Sequence, residues 1–178
     1  MDVPQNKQEQ TADDGASAKL LEACTRFDPN AVTVQHDKHY QSVKVMEGNK
    51  TLIDFGDTSR DSGKAYEAEL AAITIQHYGL NEKCQFGDGS VFLAIGPGGS
   101  SPLPGEDATK YDLSKVEVEK SPRWGTWQVA ANHKESLLDF GNDKKAAETA
   151  SEILHRYNLN TMGFVGRPNA PMTYFYSR

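Results

Sequence analysis

The chain repeats part of its own sequence, and this repeat restricts its fold more than any other feature. The segment LIDFG at Leu52–Gly56 returns as LLDFG at Leu137–Gly141, 85 residues later. Motifs before this segment recur at an offset of 84 and motifs after it at 79, which leaves a surplus of six residues after Gly56 in the first copy. Because a unit that occurs twice is expected to fold the same way twice, the repeat predicts one architecture built in duplicate.

Within each copy the spacing of apolar residues changes in a fixed order. Alternation of apolar and polar residues predicts three strands, the last being LIDFG or LLDFG. Alanines and larger apolar residues then recur three or four positions apart up to Tyr78 and Tyr157, which predicts a helix. Gly79 and Asn158 suit a left-handed helix end, and two further strands follow. The predicted fold class is α+β: a tandem duplication of a β-β-β-α-β-β module, with an antiparallel sheet and one helix per module in a pseudo-twofold arrangement.

Composition divides the chain into four segments. Residues 1–19 are polar and lack apolar periodicity, which predicts a disordered tail. Module one spans residues 20–96 and module two spans 110–178. Between them, residues 97–109 are rich in glycine, proline and serine and predict a flexible linker. Since modules of this size bury little surface alone, we expect the two to pack against each other.

The net charge of −6 argues against binding to nucleic acid or to an anionic membrane, because both require a basic surface. Residues 22–96 contain 7 basic and 11 acidic residues, whereas residues 110–178 contain 10 and 8. No apolar run approaches the length of a membrane span. The expected partners are therefore a glycan or a protein, or a second copy of the chain in a homodimer, and no cofactor or metal is predicted.

The two cysteines predict a disulfide. Cys24 and Cys84 both belong to module one, and the repeat offsets place Ala108 and Gly163 at the corresponding positions of module two. Loss of both cysteines together is expected if they are bonded to each other, whereas two unrelated thiols are the alternative. A disulfide favours an exported protein. The opening residues lack the features of a signal peptide, so we predict a secreted protein whose leader has been removed, with a cytoplasmic location as the alternative.

The motifs of module two resemble those of a known type of repeat. They are W-x-V at Trp127–Val129, LLDFG at Leu137–Gly141, an alanine-rich helix ending in Tyr157, VGRP at Val165–Pro168 and a final aromatic strand. Together they resemble the tandem repeat modules of uncharacterised, often exported proteins. Module one departs from this pattern, with GDG in place of GRP. The resemblance implies a module that covers nearly all of residues 111–176, and it implies no particular activity.

Candidate binding residues are predicted on the sheet face turned away from the helix. There each module is expected to present an aromatic residue (Tyr40 or Trp124), a leucine of the third strand and an aspartate (Asp54 or Asp139). Flat aromatic rings beside a carboxylate are typical of sugar-binding sites. The alternative is that these faces form an interface between modules or subunits.

Module two is expected to contain most of the function. It alone has Arg167, both tryptophans and the aromatic segment that contains Tyr174, and such residues dominate binding hot spots. The structural alternative for Arg167 is a salt bridge to Asp139 or Glu152.

The sequence lacks a Walker loop, an HExxH or CxxC motif and a nucleophile elbow. We therefore predict a non-enzymatic, two-module recognition protein, lectin-like and carbohydrate-binding, with a role in defence or inhibition. The first alternative is a protein-binding module, such as an enzyme inhibitor or assembly factor, that uses the C-terminal strand as a sheet edge. The second is a hydrolase with Asp54 and Asp139 as paired acids, although hydrogen bonds to nearby backbone would give both aspartates a structural role.

Overall fold

The computed structural model describes residues 23–58, 63–86, 90–95, 101–133, 135–167 and 170–178. The strands of module one are β1 (Cys24–Arg26), β2 (Val32–Asp37), β3 (Ser42–Glu47), β4 (Lys50–Asp57), β5 (Leu80–Phe86) and β6 (Ser90–Ile95). Those of module two are β7 (Asp107–Lys110), β8 (Val116–Lys120), β9 (Trp127–Ala131), β10 (Glu135–Asp139), β11 (Thr161–Val165) and β12 (Met172–Tyr176). Helix α1 (Gly63–Tyr78) lies between β4 and β5, and helix α2 (Lys144–Arg156) lies between β10 and β11. The fold is mixed α+β, as predicted, and the predicted tail lies outside the described residues.

The described strands form three sheets rather than the predicted one per module. The module-one sheet has the order β2-β3-β4, and the module-two sheet has the order β10-β9-β8. The remaining strands join in a central sheet with the order β1-β5-β6-β12-β11-β7, to which each module contributes three strands. The prediction was wrong on this point because apolar spacing identifies a strand but not the distant strand that pairs with it.

The modules meet in the middle of the central sheet, where β6 pairs with β12 in parallel and Tyr174 lies opposite Leu93. Strand β12 also pairs with β11 along its whole length. The C-terminal strand is therefore an interior strand, which corrects the idea that it offers a free edge to a protein partner. The modules are joined through backbone pairing, so their open sheet faces are not the surface that connects them.

Two short strands were missed in the sequence. Strand β7 occupies the last residues of the predicted linker and pairs with β11, so module two begins at Asp107. Strand β1 pairs with β5. Both strands are three or four residues long, too short for a periodic signal, and each is ordered by a partner more than 50 residues away. The part of the predicted linker at residues 97–100 lies outside the described residues.

The local signals at turns and helix ends are confirmed. Gly79 and Asn158 follow the helices in the left-handed conformation, with φ of 63° and 53°. The turn between β3 and β4 and the turn between β9 and β10 also have a residue at positive φ, Gly48 in the first and Asn132 in the second.

Corresponding backbone hydrogen bonds occur in the two modules. Phe27 donates its N–H to the carbonyl of Asn81 at 2.9 Å, and Tyr111 donates to Asn160 at 2.9 Å. These four residues correspond through the repeat offsets of 84 and 79. The modules therefore agree in element order and in individual contacts, while their origin by duplication stays a prediction.

Each helix packs between two sheets. Helix α1 contacts all three strands of the module-one sheet together with β5 and β11 of the central sheet, and α2 contacts β8, β9 and β5. The predicted helix faces are buried, and they consist of Ala68, Ala71, Ile75 and Tyr78 in α1 and of Ala147, Ala150 and Leu154 in α2. The small alanine side chains allow the helix axis to approach a sheet closely on either side.

A β-bulge occurs at the same place in both modules. The pairing register shifts around Leu52 in β4 and around Leu137 in β10. Both leucines are buried, whereas Asp54 and Asp139 are exposed. The predicted sharing of one open face by leucine and aspartate is therefore wrong, because the extra residue of a bulge interrupts the alternation of side chains.

Candidate functional site

Two exposed aromatic residues lie at corresponding hairpin tips. Tyr40 is in the turn between β2 and β3 and is 73% exposed, and Trp124 is in the turn between β8 and β9 and is 68% exposed. We call residues 37–42 and 121–126 the hairpin tips of modules one and two.

The tip of module one is held by an aspartate. The Oδ1 atom of Asp37 accepts hydrogen bonds from the backbone N–H groups of His39 at 3.0 Å and Tyr40 at 3.1 Å. The rings of His39 and Tyr40 meet edge to face, with centroids 4.7 Å apart. Tyr40 is thus exposed on a backbone that is locally fixed.

The tip of module two is held by a serine at the position that corresponds to Asp37. The Oγ atom of Ser121 accepts a hydrogen bond from the N–H of Trp124 at 3.2 Å. Its carbonyl accepts from Gly125 at 2.8 Å, and its N–H donates to the carbonyl of Thr126 at 2.7 Å. The guanidinium of Arg123 lies 4.8 Å from the Trp124 ring centroid. The backbone of the exposed aromatic residue is therefore held by an aspartate in module one and by a serine in module two.

The second tryptophan lies close to the start of α2. Trp127 is half-buried, and its ring centroid is 4.9 Å from Nζ of Lys144 at the start of α2 and 5.7 Å from Nζ of Lys120. With Arg123, these cations give the tip of module two a positive and aromatic surface.

A row of polar side chains crosses the open face of each module's own sheet. In module two the row is Glu119, Gln128 and Asp139, and in module one it is Gln35, Lys44 and Asp54. Gln128 donates to Glu119 Oε1 at 3.1 Å.

Glu119 also binds a histidine at the opposite hairpin of the module-two sheet. Its Oε2 atom lies 2.6 Å from Nδ1 of His133. This hydrogen bond, together with the charge of Glu119, raises the pKa of His133.

The two aspartates of the repeated motif have a structural role. Asp54 accepts a hydrogen bond from the N–H of Gly56 at 2.8 Å, and Asp139 accepts one from Gly141 at 2.9 Å. Asp139 also accepts one from Thr126 Oγ1 at 2.6 Å, which connects it to the hairpin tip. The two carboxylates lie on different sheets, each bound to its own turn. This arrangement matches the structural alternative, and the hydrolase hypothesis gains no support from it.

Arg167 lies at the edge of the central sheet. Its Nε atom is 2.9 Å from Asp107 Oδ2, and its guanidinium lies 3.9 Å from the ring centroid of Phe164. The salt bridge is present, but its partner is Asp107 rather than Asp139 or Glu152. Both partners belong to the central sheet, whereas Trp124 lies at the tip of the module-two sheet. The structure therefore gives Arg167 a different environment from Trp124.

Tyr174 is 1% exposed, so it is a core residue and not the surface anchor that the sequence predicted. Its ring lies parallel to those of Tyr78 and Tyr176, with centroids 6.1 and 5.9 Å away, and the rings of Tyr78 and Tyr176 are 4.0 Å apart. This tyrosine stack brings together the end of α1 in module one and β12 in module two.

A nearly buried carboxylate binds the tyrosine stack. Glu106 has a side chain that is 9% exposed, and it accepts hydrogen bonds from the hydroxyls of Tyr174 and Tyr176 at 2.9 Å each and from Arg178 Nη2 at 2.5 Å. Burial alone would raise the pKa of Glu106, but the tyrosine hydroxyls and the charge of Arg178 outweigh burial and lower it. Burial and the same carboxylate raise the pKa of both tyrosines. Glu106 lay in the predicted linker, where no local signal could have identified it.

The predicted disulfide is present, with Cys24 and Cys84 bonded at 2.02 Å. The two cysteines are opposite each other in the pairing of β1 with β5. Their counterparts Ala108 and Gly163 are likewise opposite each other in the pairing of β7 with β11.

Comparison of the chain with protein-family models, with curated proteins and with solved structures gave no match. Among the described residues, no three His, Cys, Asp or Glu side chains are grouped to hold a metal ion. None of the described helices is long and apolar enough to cross a membrane. The two hairpin tips, with the polar rows beside them, are the strongest candidate binding site in this geometry.

Proposed function

We propose that this is a non-enzymatic, two-module recognition protein that binds carbohydrate in a lectin-like manner at its hairpin tips. The observation that supports the proposal is the placement of Tyr40 and Trp124 at corresponding tips, each exposed and each with its backbone N–H bound to the side chain three residues earlier.

A large aromatic ring on a fixed loop is suited to binding. Because the loop is already ordered, a ligand that covers the ring loses little conformational freedom of the protein. Sugar rings present C–H groups that pack on an aromatic face, and their hydroxyls require hydrogen-bonding partners nearby. In module two, Thr126 and Asp139 supply polar atoms beside Trp124, and Arg123 adds a positive charge. We therefore expect acidic glycans to bind more tightly than neutral ones.

The two modules are expected to contribute unequally. Tryptophan offers a larger ring than tyrosine, and three cations lie around the tip of module two. On a surface that displays many glycans, two linked weak sites gain avidity over either site alone. The disulfide supports export, since such bonds persist in oxidising compartments.

A glycan array tests this proposal with four proteins: wild type, Trp124→Ala, Tyr40→Ala and Tyr66→Ala. Tyr66 is the matched control, because it is 71% exposed but belongs to α1 and to neither tip. We expect Trp124→Ala to lose about 1–3 kcal/mol of binding free energy, Tyr40→Ala to lose less, and Tyr66→Ala to bind as wild type does. All four should unfold at similar temperatures, since surface substitutions usually change stability by less than about 0.5 kcal/mol.

The sugar proposal fails if folded wild-type protein binds no glycan on the array, or if Tyr66→Ala weakens binding as much as Trp124→Ala. If a glycoprotein that binds to this protein still binds after its glycans have been removed enzymatically, the ligand is protein rather than sugar.

A further inference from the structure

A cavity in module one lies on the side of the fold opposite its hairpin tip. It has a volume of about 200 Å³ and opens between the start of β4 and the strands β1 and β5. Strand β3 runs from the hairpin tip at Ser42 to Glu47, which pairs with Lys50, so the cavity and Tyr40 lie at opposite ends of the module-one sheet. The cavity is lined by Ala23, Thr25, Arg26, Phe27, Lys50, Thr51, Leu52, Lys83 and Gln85.

The lining combines an apolar floor with positive charge. Phe27 and Leu52 are buried and form apolar surface, whereas Lys50 is exposed and Lys83 is half-buried. Among the described residues, the lining contains no acidic side chain. Arg26 is neutralised by Glu82 at 3.0 Å. Within the part of the chain that the structure describes, Lys50 and Lys83 have no such ion-pair partner.

The two lysines are close enough to influence each other. Burial first, and then the charge of Lys50, lower the pKa of Lys83. Two ammonium groups that share a cavity repel each other, and a negative charge between them would relieve this repulsion. This repulsion between two lysines arises in the more acidic half of the protein, because residues 22–96 contain 11 acidic and only 7 basic residues.

Neither lysine of the cavity has a basic counterpart in module two. The repeat offsets put Glu135 where module one has Lys50 and Met162 where it has Lys83. The pairing confirms the second correspondence, because Thr25 lies opposite Lys83 and Thr109 lies opposite Met162. The positive charge is therefore specific to module one and is not a general consequence of the fold.

The disulfide fixes the walls of this cavity. Cys24 lies between Ala23 and Thr25, and Cys84 lies between Lys83 and Gln85. Since side chains alternate along a strand, the cysteines point away from the face that carries Thr25 and Lys83. Strand β1 is a three-residue edge strand, and the disulfide holds it against β5. Module one thus has both the bonded strand pair and the positive cavity, and module two has neither.

We propose that this cavity is a binding site for a small organic anion. Lys50 and Lys83 hold the carboxylate or phosphate group of the ligand, Thr25, Thr51 and Gln85 supply hydrogen bonds, and the hydrocarbon part packs on Leu52 and Phe27. The volume is below the range of drug-sized sites, roughly 300–1,000 Å³, so the ligand is small.

Titration calorimetry with phenyl phosphate, benzoate and inorganic phosphate tests the proposal. Phenyl phosphate carries a phosphate group on a phenyl ring, and benzoate carries a carboxylate on the same ring. Inorganic phosphate has no hydrocarbon part. We expect at least one of the aromatic anions to bind, and to bind more tightly than inorganic phosphate. Lys83→Met and Lys50→Glu each introduce the residue that module two has at the same place, and each should weaken binding roughly tenfold to a hundredfold.

Two variants serve as controls. Lys145→Met removes one positive charge from the exposed face of α2 and should leave binding unchanged, as should Trp124→Ala at the hairpin tip. Amide chemical shifts of Thr25, Lys83 and Gln85 should move on addition of the anion. The proposal is overturned if none of the three anions binds, if inorganic phosphate binds as tightly as both aromatic anions, or if Lys145→Met weakens binding as much as Lys83→Met does.

Discussion

The two modules stabilise corresponding strand pairs of the central sheet in different ways. In module one, β1 and β5 are joined by the Cys24–Cys84 disulfide. In module two, the pair Ala108 and Gly163 occupies the same register between β7 and β11. The backbone pairing is retained, while the side chains that hold it differ completely.

Module two replaces the disulfide with packing and hydrogen bonds. Gly163 leaves room for the ring of Tyr174, because a Cβ atom at Gly163 would lie only 2.1 Å from Tyr174 Cζ. The Tyr174 hydroxyl then reaches Glu106, just before β7. One edge of the sheet is thus held by a covalent bond and the other by a buried polar cluster. The cavity of module one has a counterpart in module two, whose lining includes Lys110, Lys115, Asp112 and Glu135, so that its basic and acidic residues balance.

The largest expected effect is loss of the disulfide. Replacing both Cys24 and Cys84 with alanine should lower the free energy of unfolding by about 4 kcal/mol, as estimated from the entropy of closing a loop of this length. Urea unfolding measures the change, and reduction of wild type should reproduce it. Equal stability of the oxidised wild type and the double variant would show that packing alone holds β1, as it holds β7.

A smaller effect is expected when Gly163 is replaced by alanine in module two. The added methyl group collides with the buried Tyr174 ring, and overpacking of this kind costs roughly 2–3 kcal/mol. Urea unfolding of Gly163→Ala, Tyr174→Ala and the double variant completes a thermodynamic cycle. Because truncation of Tyr174 removes the collision, the double variant should lose less than the sum of the single changes. If the losses of the two single variants add up in the double variant, the Tyr174 ring does not occupy the space beside Gly163.

The smallest of these effects concerns Glu106 and depends on pH. Its pKa is lowered in the folded protein, so its contribution to stability is present above the ordinary carboxyl pKa of 4.5 and is lost as the pH falls through the lower folded value. Glu106→Gln should therefore cost about 1–2 kcal/mol near neutral pH and progressively less in acid. Thermal unfolding across this pH range measures the change, with Glu152→Gln on the exposed face of α2 as the control. If the stability difference between Glu106→Gln and wild type is the same at every pH, the charge of Glu106 has no role.

Much of the local structure could be predicted because the responsible signals are local. Gly79 and Asn158 end the helices since these residues tolerate positive φ, and the two missing cysteines in module two indicated the disulfide through comparison of the copies. The repeat also matched Tyr40 with Trp124, but the prediction placed them on the open faces of the sheets, whereas the structure places both in hairpin turns.

The sequence by itself thus determined the longer elements, their order, the matched positions and the disulfide, all of which depend on short-range spacing or on the repeat, whereas the short strands β1 and β7 were missed. Tertiary structure decided which strands pair, and hence that β12 is internal, that Tyr174 is buried against Tyr78 and that Glu106 accepts hydrogen bonds from the hydroxyls of Tyr174 and Tyr176. It also brought Lys50 and Lys83 to one cavity from strands separated by a helix. These features depend on contacts between distant segments, and the free energy of such contacts is set by packing in three dimensions rather than by the periodicity of any one segment.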